Sequence, residues 1–343
     1  MLYGADVQLN RLSKLGDPLE KLNASIDWGI FRLPIVKRIR KSDYSKGGRP
    51  PWDEVLMFKI TLLQDWNNVS DDNTEYMINC RLDWQRFLDM ELGEKAPDAK
   101  TIWLFKEQVG KEGMRELFET LNVKLHELGI VKRDGSLIDA TFVEVPKQRN
   151  SREENAQIKQ GEVPEDWQTP DNANKLEQKD VDARWTKKGN QSYYGYKDHV
   201  KVDKESKIIT DFTVTPASVH DVDEFEGLID ITDKEAWLDS AYASAEHVAR
   251  IKEKYPNIIL HITERAYKNK PLTEEQKESN RDKSRVRARV EHVFGYMARF
   301  MGGITIRTIG KERAEREICG LNLAYNLKRI AFLVGAKKAS VVA

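Results

Sequence analysis

The sequence predicts a mixed α/β fold of two parts: an all-helical N-terminal domain, residues 1–130, then a mixed sheet flanked by helices, residues 131–343. Three observations carry this. Apolar residues recur at helical spacing from about residue 52 to 130. Beyond Gly129 the period becomes that of strands, with three strand-like runs followed by alternating helix and strand. Residues 146–191 interrupt that pattern with a long polar, charged stretch.

In the helical part, WDEVLMFKITLLQDW follows Pro50-Pro51, and Val55, Leu56, Phe58, Ile60, Leu62, Leu63 and Trp66 fit a buried helix. A second helix starts near Ser70 or Asp72 and contains Tyr76, Met77 and Ile78, with Leu82, Trp84, Phe87 and Leu88 following. PDAKTIWLFKEQV reads as a turn and a helix, and another helix over 112–128 stops at Gly129. At least one helix-turn-helix-like pair is expected here.

In the sheet part, LIDATFVEV, YYGYKDHVKVD and KIITDFTVTPA read as strands, with KESK as the hairpin turn between the last two. The insertion from 146 to 191 is poor in β-branched residues, and its composition predicts an exposed segment, partly disordered in the free protein. A helix at 221–230, the strand EAWLD, a helix at 244–255 and the strand NIILHI come next, then helices at 284–301 and 312–334.

Lys plus Arg equals Asp plus Glu at 56 each, so net charge identifies no partner and any nucleic-acid signal must lie in how charge is distributed. Cys80 and Cys319 are too few and too far apart for a disulfide scaffold or a zinc site, which suits a reducing cytosol. The N-terminal residues lack the apolar core of a signal peptide, and no run reaches the roughly 18 apolar residues that span a bilayer. A soluble, cytoplasmic protein with no membrane partner is expected.

Within SLIDATFVEV, alternation places Leu137, Asp139, Thr141, Val143 and Val145 on one face. A carboxylate among apolar neighbours is costly unless it reaches water, is paired or holds a metal. Asp239 closes the strand in EAWLDSAY, just before a turn into a helix, where either a ligand site or a helix cap is usual. Glu291 lies in SRVRARVEHVFGYMARFMGG, where Val286, Val290, Val293, Met297 and Phe300 form an apolar stripe. It projects about 100° from Val290, beside the buried face. Arg287, one turn earlier, could pair with it as an ordinary surface ion pair. Gathered together, Asp139, Asp239 and Glu291 would suit Mg²⁺ or Mn²⁺, and two such ions roughly 4 Å apart serve phosphoryl transfer.

Arg281, Lys283, Arg285, Arg287 and Arg289 crowd the expected start of the Glu291 helix with only Asp282 opposing them, a placement that the helix dipole disfavours and that needs a reason. DNA phosphates would account for the cluster, and so would a solvated basic face. His199 and His220 fall near the expected site strands, but the six histidines show no metal-ligand spacing. Trp167 and Trp185, inside the polar insertion, are candidates for stacking on an unpaired base.

These motifs, in this order, resemble the insertion-sequence transposases of the IS5 type, whose catalytic domain is an RNase H-like DDE domain. The resemblance spans nearly everything from RPPWDEVLMFKITLLQ to NLAYNLKRIA. LIDATFVEV is similar to the family's first-aspartate strand, GYKDHVKVD and TPASVHD to the next two, WLDSAY to the second-aspartate strand and RVRARVEHVFG to the glutamate helix. It implies Asp139, Asp239 and Glu291 as a catalytic, metal-binding triad for two Mg²⁺ or Mn²⁺ ions. With it, Lys197, Arg285, Arg287, Arg289 and Arg299 become candidate DNA contacts. The implied partners are double-stranded DNA (terminal inverted repeats and target) and a second copy of the chain on DNA. The helical domain is implied to bind DNA ends or neighbouring subunits.

The glutamate helix of such transposases reads Tyr, two residues, Arg, three residues, Glu, six residues, Lys. Arg287 and Glu291 fit, but the Tyr position holds Ser284 and the Lys position Ala298, with Arg299 one residue on and about 100° away. The expected activity is cleavage of insertion-sequence ends and joining of the 3′-hydroxyl to target DNA. The alternatives are a catalytically inactive DNA-binding descendant and an RNase H-like nuclease that cuts without joining.

Overall fold

The computed structural model describes residues 2–39, 50–266 and 271–342; Arg49, the first residue of RPPWDE, lies outside them. Two compact units result. One comprises Met1–Lys124, Phe300–Gly302 and Cys319–Ala343, the other Leu125–Arg299 and Gly303–Ile318.

The first unit is helical: α1 (Leu2–Leu15), α2 (Pro18–Asn23), α3 (Arg32–Val36), α4 (Glu54–Asn67), α5 (Asp71–Cys80), α6 (Leu82–Phe87) and most of α7 (Ala99–Glu127). The starts follow from capping. Asp53 accepts the amides of Val55 and Leu56 at 2.9 and 3.0 Å, and Ser70 accepts that of Asn73. The two helices expected between 99 and 128 are both present as α7, kinked where Gly110 leaves helical geometry at φ 63°, ψ −174°. The apolar stripe of α4 is buried as expected except for half-buried Leu56, and its Phe58 packs with Phe31 and Trp28, the ring centroids 4.8 and 6.5 Å away. Lys59 is buried beside them. Its ammonium donates to the Phe87 carbonyl and to Asp89, and lies 5.2 Å from the Trp28 and Phe87 ring centroids.

The second unit contains β1 (Ser136–Glu144), α8 (Arg152–Lys159), α9 (Ala173–Glu177), β2 (Arg184–Lys188), β3 (Gln191–Asp203), β4 (Ile209–Pro216) and α10 (Asp221–Leu228). After these come β5 (Glu235–Leu238), α11 (Ala245–Lys254), β6 (Ile259–Ile262), α12 (Glu274–Phe300) and the start of α13 (Lys311–Val342). The sheet runs β2-β3-β1-β5-β6, with β4 also on β3. β1, β3 and β4 pair antiparallel, whereas β1–β5 and β5–β6 pair parallel, so the sheet is mixed as expected. Gly195 permits the closest approach within it: a Cβ there would lie 2.2 Å from the Val143 carbonyl oxygen. One face is closed by α10 and α11, where Ile138, Phe225, Leu228, Leu238, Tyr242 and Ile251 form a core. On α12 the expected stripe is buried at Val290, Val293 and Met297, while Phe300 is exposed. α12 begins ten residues earlier than its apolar stripe indicates, because Thr273 and Gln276 cap it reciprocally.

The segment 146–191 is the main departure. It is folded and not the partly disordered segment expected: α8 carries a complete capping box from Ser151 and Glu154, and Trp167 is fully buried with Ile158 and Ala183. Glu154 accepts from the Lys175 ammonium and from Trp167 Nε1, both at 2.7 Å, which holds its carboxyl down to about 2. Asp180 accepts the Tyr196 hydroxyl and the backbone amides of Asp182, Ala183 and Gly310. A few apolar groups, with their polar neighbours paired, organise a stretch whose average composition suggested disorder. Trp167 is therefore a core residue and is not available to stack on a base. Trp167→Ala is expected to cost about 3–5 kcal/mol locally. Limited proteolysis checks this: the variant should be cut within 146–191 where the parent resists, and an equally labile parent would refute the packing.

Candidate active site

β1 and β5 are parallel neighbours with Leu137 opposite Trp237. Two residues further along each chain come Asp139 and Asp239, so alternation brings both carboxylates to the same level and face. Asp139 has its Oδ1 on the Ala140 amide at 2.8 Å. Asp239 caps the short turn Ser240–Tyr242, accepting the Ser240 amide at 2.6 Å and the Thr263 hydroxyl at 3.3 Å. Cap and candidate ligand are thus the same residue.

Arg287 of α12 joins them. Its Nη2 lies 3.2 Å from Asp139 Oδ2 and its Nη1 3.5 Å from Asp239 Oδ1, with only 12% of the side chain exposed. The guanidinium expected to face Glu291 or DNA turns inward instead. Burial pushes the Asp139 carboxyl above its ordinary range, and the Arg287 charge opposes the shift. Glu291, one helical turn beyond Arg287, is exposed. Among the described residues no three Asp, Glu, His or Cys side chains stand close enough to hold a metal, so the third carboxylate is not gathered with the other two. What is assembled is a pair of hard oxygen donors sharing one cation, a donor set that fits Mg²⁺ or Mn²⁺ better than a softer metal.

The other expected residues separate. Arg285 is exposed on α12, 3.5 Å from Asp282, and Arg299 is exposed near its end. Arg289 donates to the Lys204 carbonyl at 2.7 Å and to Glu205 at 3.1 Å, which ties α12 to the β3–β4 turn. Lys197 is buried, its ammonium bonded to the Val219 carbonyl and Asp221, so it is not presented to DNA. His199 pairs with Ala140 across β1–β3 and so lies on the sheet face opposite Asp139. It contacts the Thr215 hydroxyl at 2.9 Å, and burial lowers it to about 4, an ordinary neutral core histidine. His220 is the N-cap of α10, and Asp221 falls in that helix's first turn. Trp185 is exposed on β2, with the Lys147 ammonium 5.8 Å from its ring.

Tyr242 was missed from the sequence. Three residues after Asp239, it is buried and its hydroxyl has no partner among the described residues. Burial first, then the nearby Asp139 carboxylate, push the phenol far up, so it stays protonated and can donate. Its position in WLDSAY, one short turn past the strand-ending aspartate, is the signal that could have found it.

Asp139 inside β1 and Asp239 just beyond the neighbouring strand β5 thus meet one arginine of the glutamate-bearing helix α12. Residues 131–327 match the family described as the transposase DDE domain, and residues 7–108 match one described as a transposase domain (DUF772). The chain belongs to the DDE transposase-domain family. Among solved structures, the chain is similar to the piggyBac transposase in a cryo-EM synaptic complex with hairpin DNA, at 12% identity and a TM-score of 0.47. That match covers 94% of this chain and 76% of the other. The family match, and not this likeness, carries the assignment. Among the described residues no helix is long and apolar enough to cross a membrane.

Proposed function

We propose that this chain is the transposase of an IS5-type insertion sequence, cleaving the element's ends and joining the freed 3′-hydroxyl to target DNA. The observation that carries the proposal is the meeting of Asp139 in β1 and Asp239, just past the parallel strand β5, at one guanidinium, in a chain of the DDE family. Asp139 and Asp239 would hold the divalent cation, Mg²⁺ or Mn²⁺, with Glu291 of α12 as the third carboxylate. When bound, a pair of such ions neutralises the charge that develops on the phosphate during in-line displacement.

The chain's own residues set up the rest. The Ala140 and Ser240 amides and the Thr263 hydroxyl fix the two carboxylates. The protonated Tyr242 hydroxyl supplies a buried donor, and fully buried Ile138 and Leu238 keep water from beneath the site. Arg285 and Arg299, exposed on α12, would contact phosphates. The partners are double-stranded DNA and a second copy of the chain on it, and the setting is the cytoplasm. Ser284 and Ala298, where the family has Tyr and Lys, favour one second reading, an inactive DNA-binding descendant.

Incubating the protein with labelled element ends, Mg²⁺ and a target plasmid separates the readings. Joined product is expected. Cleavage without joining would indicate a nuclease, and binding alone an inactive descendant.

The divided basic cluster leads to a separate expectation. Arg285→Ala should reduce the log–log salt slope of DNA binding by about one, as loss of one phosphate contact does. Arg289→Ala should leave the slope unchanged, because that guanidinium is bound to the β3–β4 turn. Equal slopes for Arg285→Ala and the parent would assign Arg285 to a solvated face.

A further inference from the structure

Arg287 bridges the two carboxylates, Asp139 and Asp239, that would hold a metal ion. Each terminal nitrogen of its guanidinium meets a different carboxylate, Asp139 at 3.2 Å and Asp239 at 3.5 Å, and the side chain is largely withdrawn from solvent. A divalent cation binding both aspartates would face this fixed positive charge across the same oxygens. Arginine cannot relieve the conflict by losing its proton.

A second observation concerns the same side chain. Arg287 Nε is buried and has no hydrogen-bond partner among the described residues. Of the five N–H donors of the guanidinium, Nη1 and Nη2 each turn one toward a carboxylate, and among the described residues the buried Nε–H meets no acceptor. A phosphate can take an Nε–H and an Nη–H together as a bidentate pair, which the split contact to two carboxylates does not provide. Exposed Arg281 and Arg285, earlier on α12, would bring a DNA backbone to this helix. Glu291 follows Arg287 by one turn and remains outside the pair, so the triad is open while the arginine is in place.

We propose that Arg287 is a resident counter-cation that occupies the paired carboxylates until a DNA phosphate takes its guanidinium, so that metal capture at Asp139 and Asp239 is coupled to DNA binding. This rests on the transposase reading for its metal and its DNA. The coupling confines hydrolytic chemistry to the DNA-bound state. It is reciprocal: DNA tightens metal binding, and metal tightens DNA binding by the same factor.

The test is Mn²⁺ binding to the full-length protein, read from the electron paramagnetic resonance signal of free Mn²⁺, with and without random-sequence duplex DNA. Random duplex suffices because the invoked contact is to the backbone. For the parent, DNA should tighten Mn²⁺ binding by roughly tenfold, within the usual range for linked sites. Arg287→Gln should bind Mn²⁺ about tenfold more tightly than the parent without DNA, and adding DNA should change little. Adding Asp139→Asn to Arg287→Gln should abolish the gain. Arg287→Lys keeps the charge, and one ammonium cannot span both carboxylates as the fork does, so its affinity should fall between the two. That variant decides the matter if Arg287→Gln fails to fold. The proposal is overturned if Arg287→Gln, or Arg287→Lys in its place, binds Mn²⁺ no more tightly than the parent, or if the gain survives Asp139→Asn. Failure of the transposase reading looks different: no cleavage of element ends under any condition, whatever the Mn²⁺ affinities.

Discussion

Asp139→Asn, Asp239→Asn and Glu291→Gln are each expected to reduce cleavage of element ends by at least roughly a thousandfold while leaving DNA binding largely intact. Each change removes one negative oxygen and almost no volume, so folding should survive. The loss follows from the several kcal/mol of transition-state charge stabilisation that a bound divalent ion supplies, at about 1.4 kcal/mol per factor of ten. For Asp139 and Asp239 the expectation rests on their shared face and shared guanidinium. For Glu291 it rests on its place one turn beyond Arg287 on α12, and the experiment is correspondingly more informative there. Near-parental cleavage by any of the three would remove that residue from the site.

Lys201→Met is expected to destabilise the second unit by about 3–5 kcal/mol, the usual result of leaving a buried charge without its partner. Lys201 is buried on β3, and its ammonium donates to Asp230 at 2.7 Å and to Asp233 at 2.6 Å. The Asp233 side chain is 1% exposed, so once the lysine is gone neither water nor another cation can replace it easily. Removing both charges with Lys201→Met and Asp233→Asn should recover part of the loss, because the unpaired ion is then gone too. Denaturant midpoints measure both variants. A loss below about 1 kcal/mol for Lys201→Met would mean that the cluster is solvated and not buried.

Much of the sheet was legible because strands declare themselves by alternation and by β-branched content. SLIDATFVEV, the KESK turn and NIILHI lie where the pattern placed them. The hairpin strand β2 was not read, although Gly189-Asn190 between WTKK and QSYY is a two-residue hairpin signal. The surrounding charge obscured it. Composition misread 146–191 for a related reason: a core built from Trp167, Ile158 and Ala183 is too small to move an average over the whole segment.

At the candidate site, Asp139 and Asp239 stood out in the sequence as carboxylates among apolar residues, and the structure brings both to one guanidinium. The fate of each arginine could not be inferred. A run of alternating arginines looks uniform in sequence, yet helical geometry sends Arg287 to the aspartates, Arg289 to the β3–β4 turn and Arg285 to solvent. Lys197 followed the same logic in reverse, a strand lysine near the site whose charge is consumed by Asp221.

Direct metal contact by the aspartate pair is the centre of this account, and exchanging the ligand atom tests it most directly. Asp139→Cys and Asp239→Cys replace a hard oxygen with a softer sulfur, which Mg²⁺ binds poorly and Mn²⁺ tolerates better. Cleavage of a labelled element end should disappear in Mg²⁺ for both variants and return in part in Mn²⁺. Cleavage by either variant in Mg²⁺ at the parental rate would contradict metal binding at that aspartate.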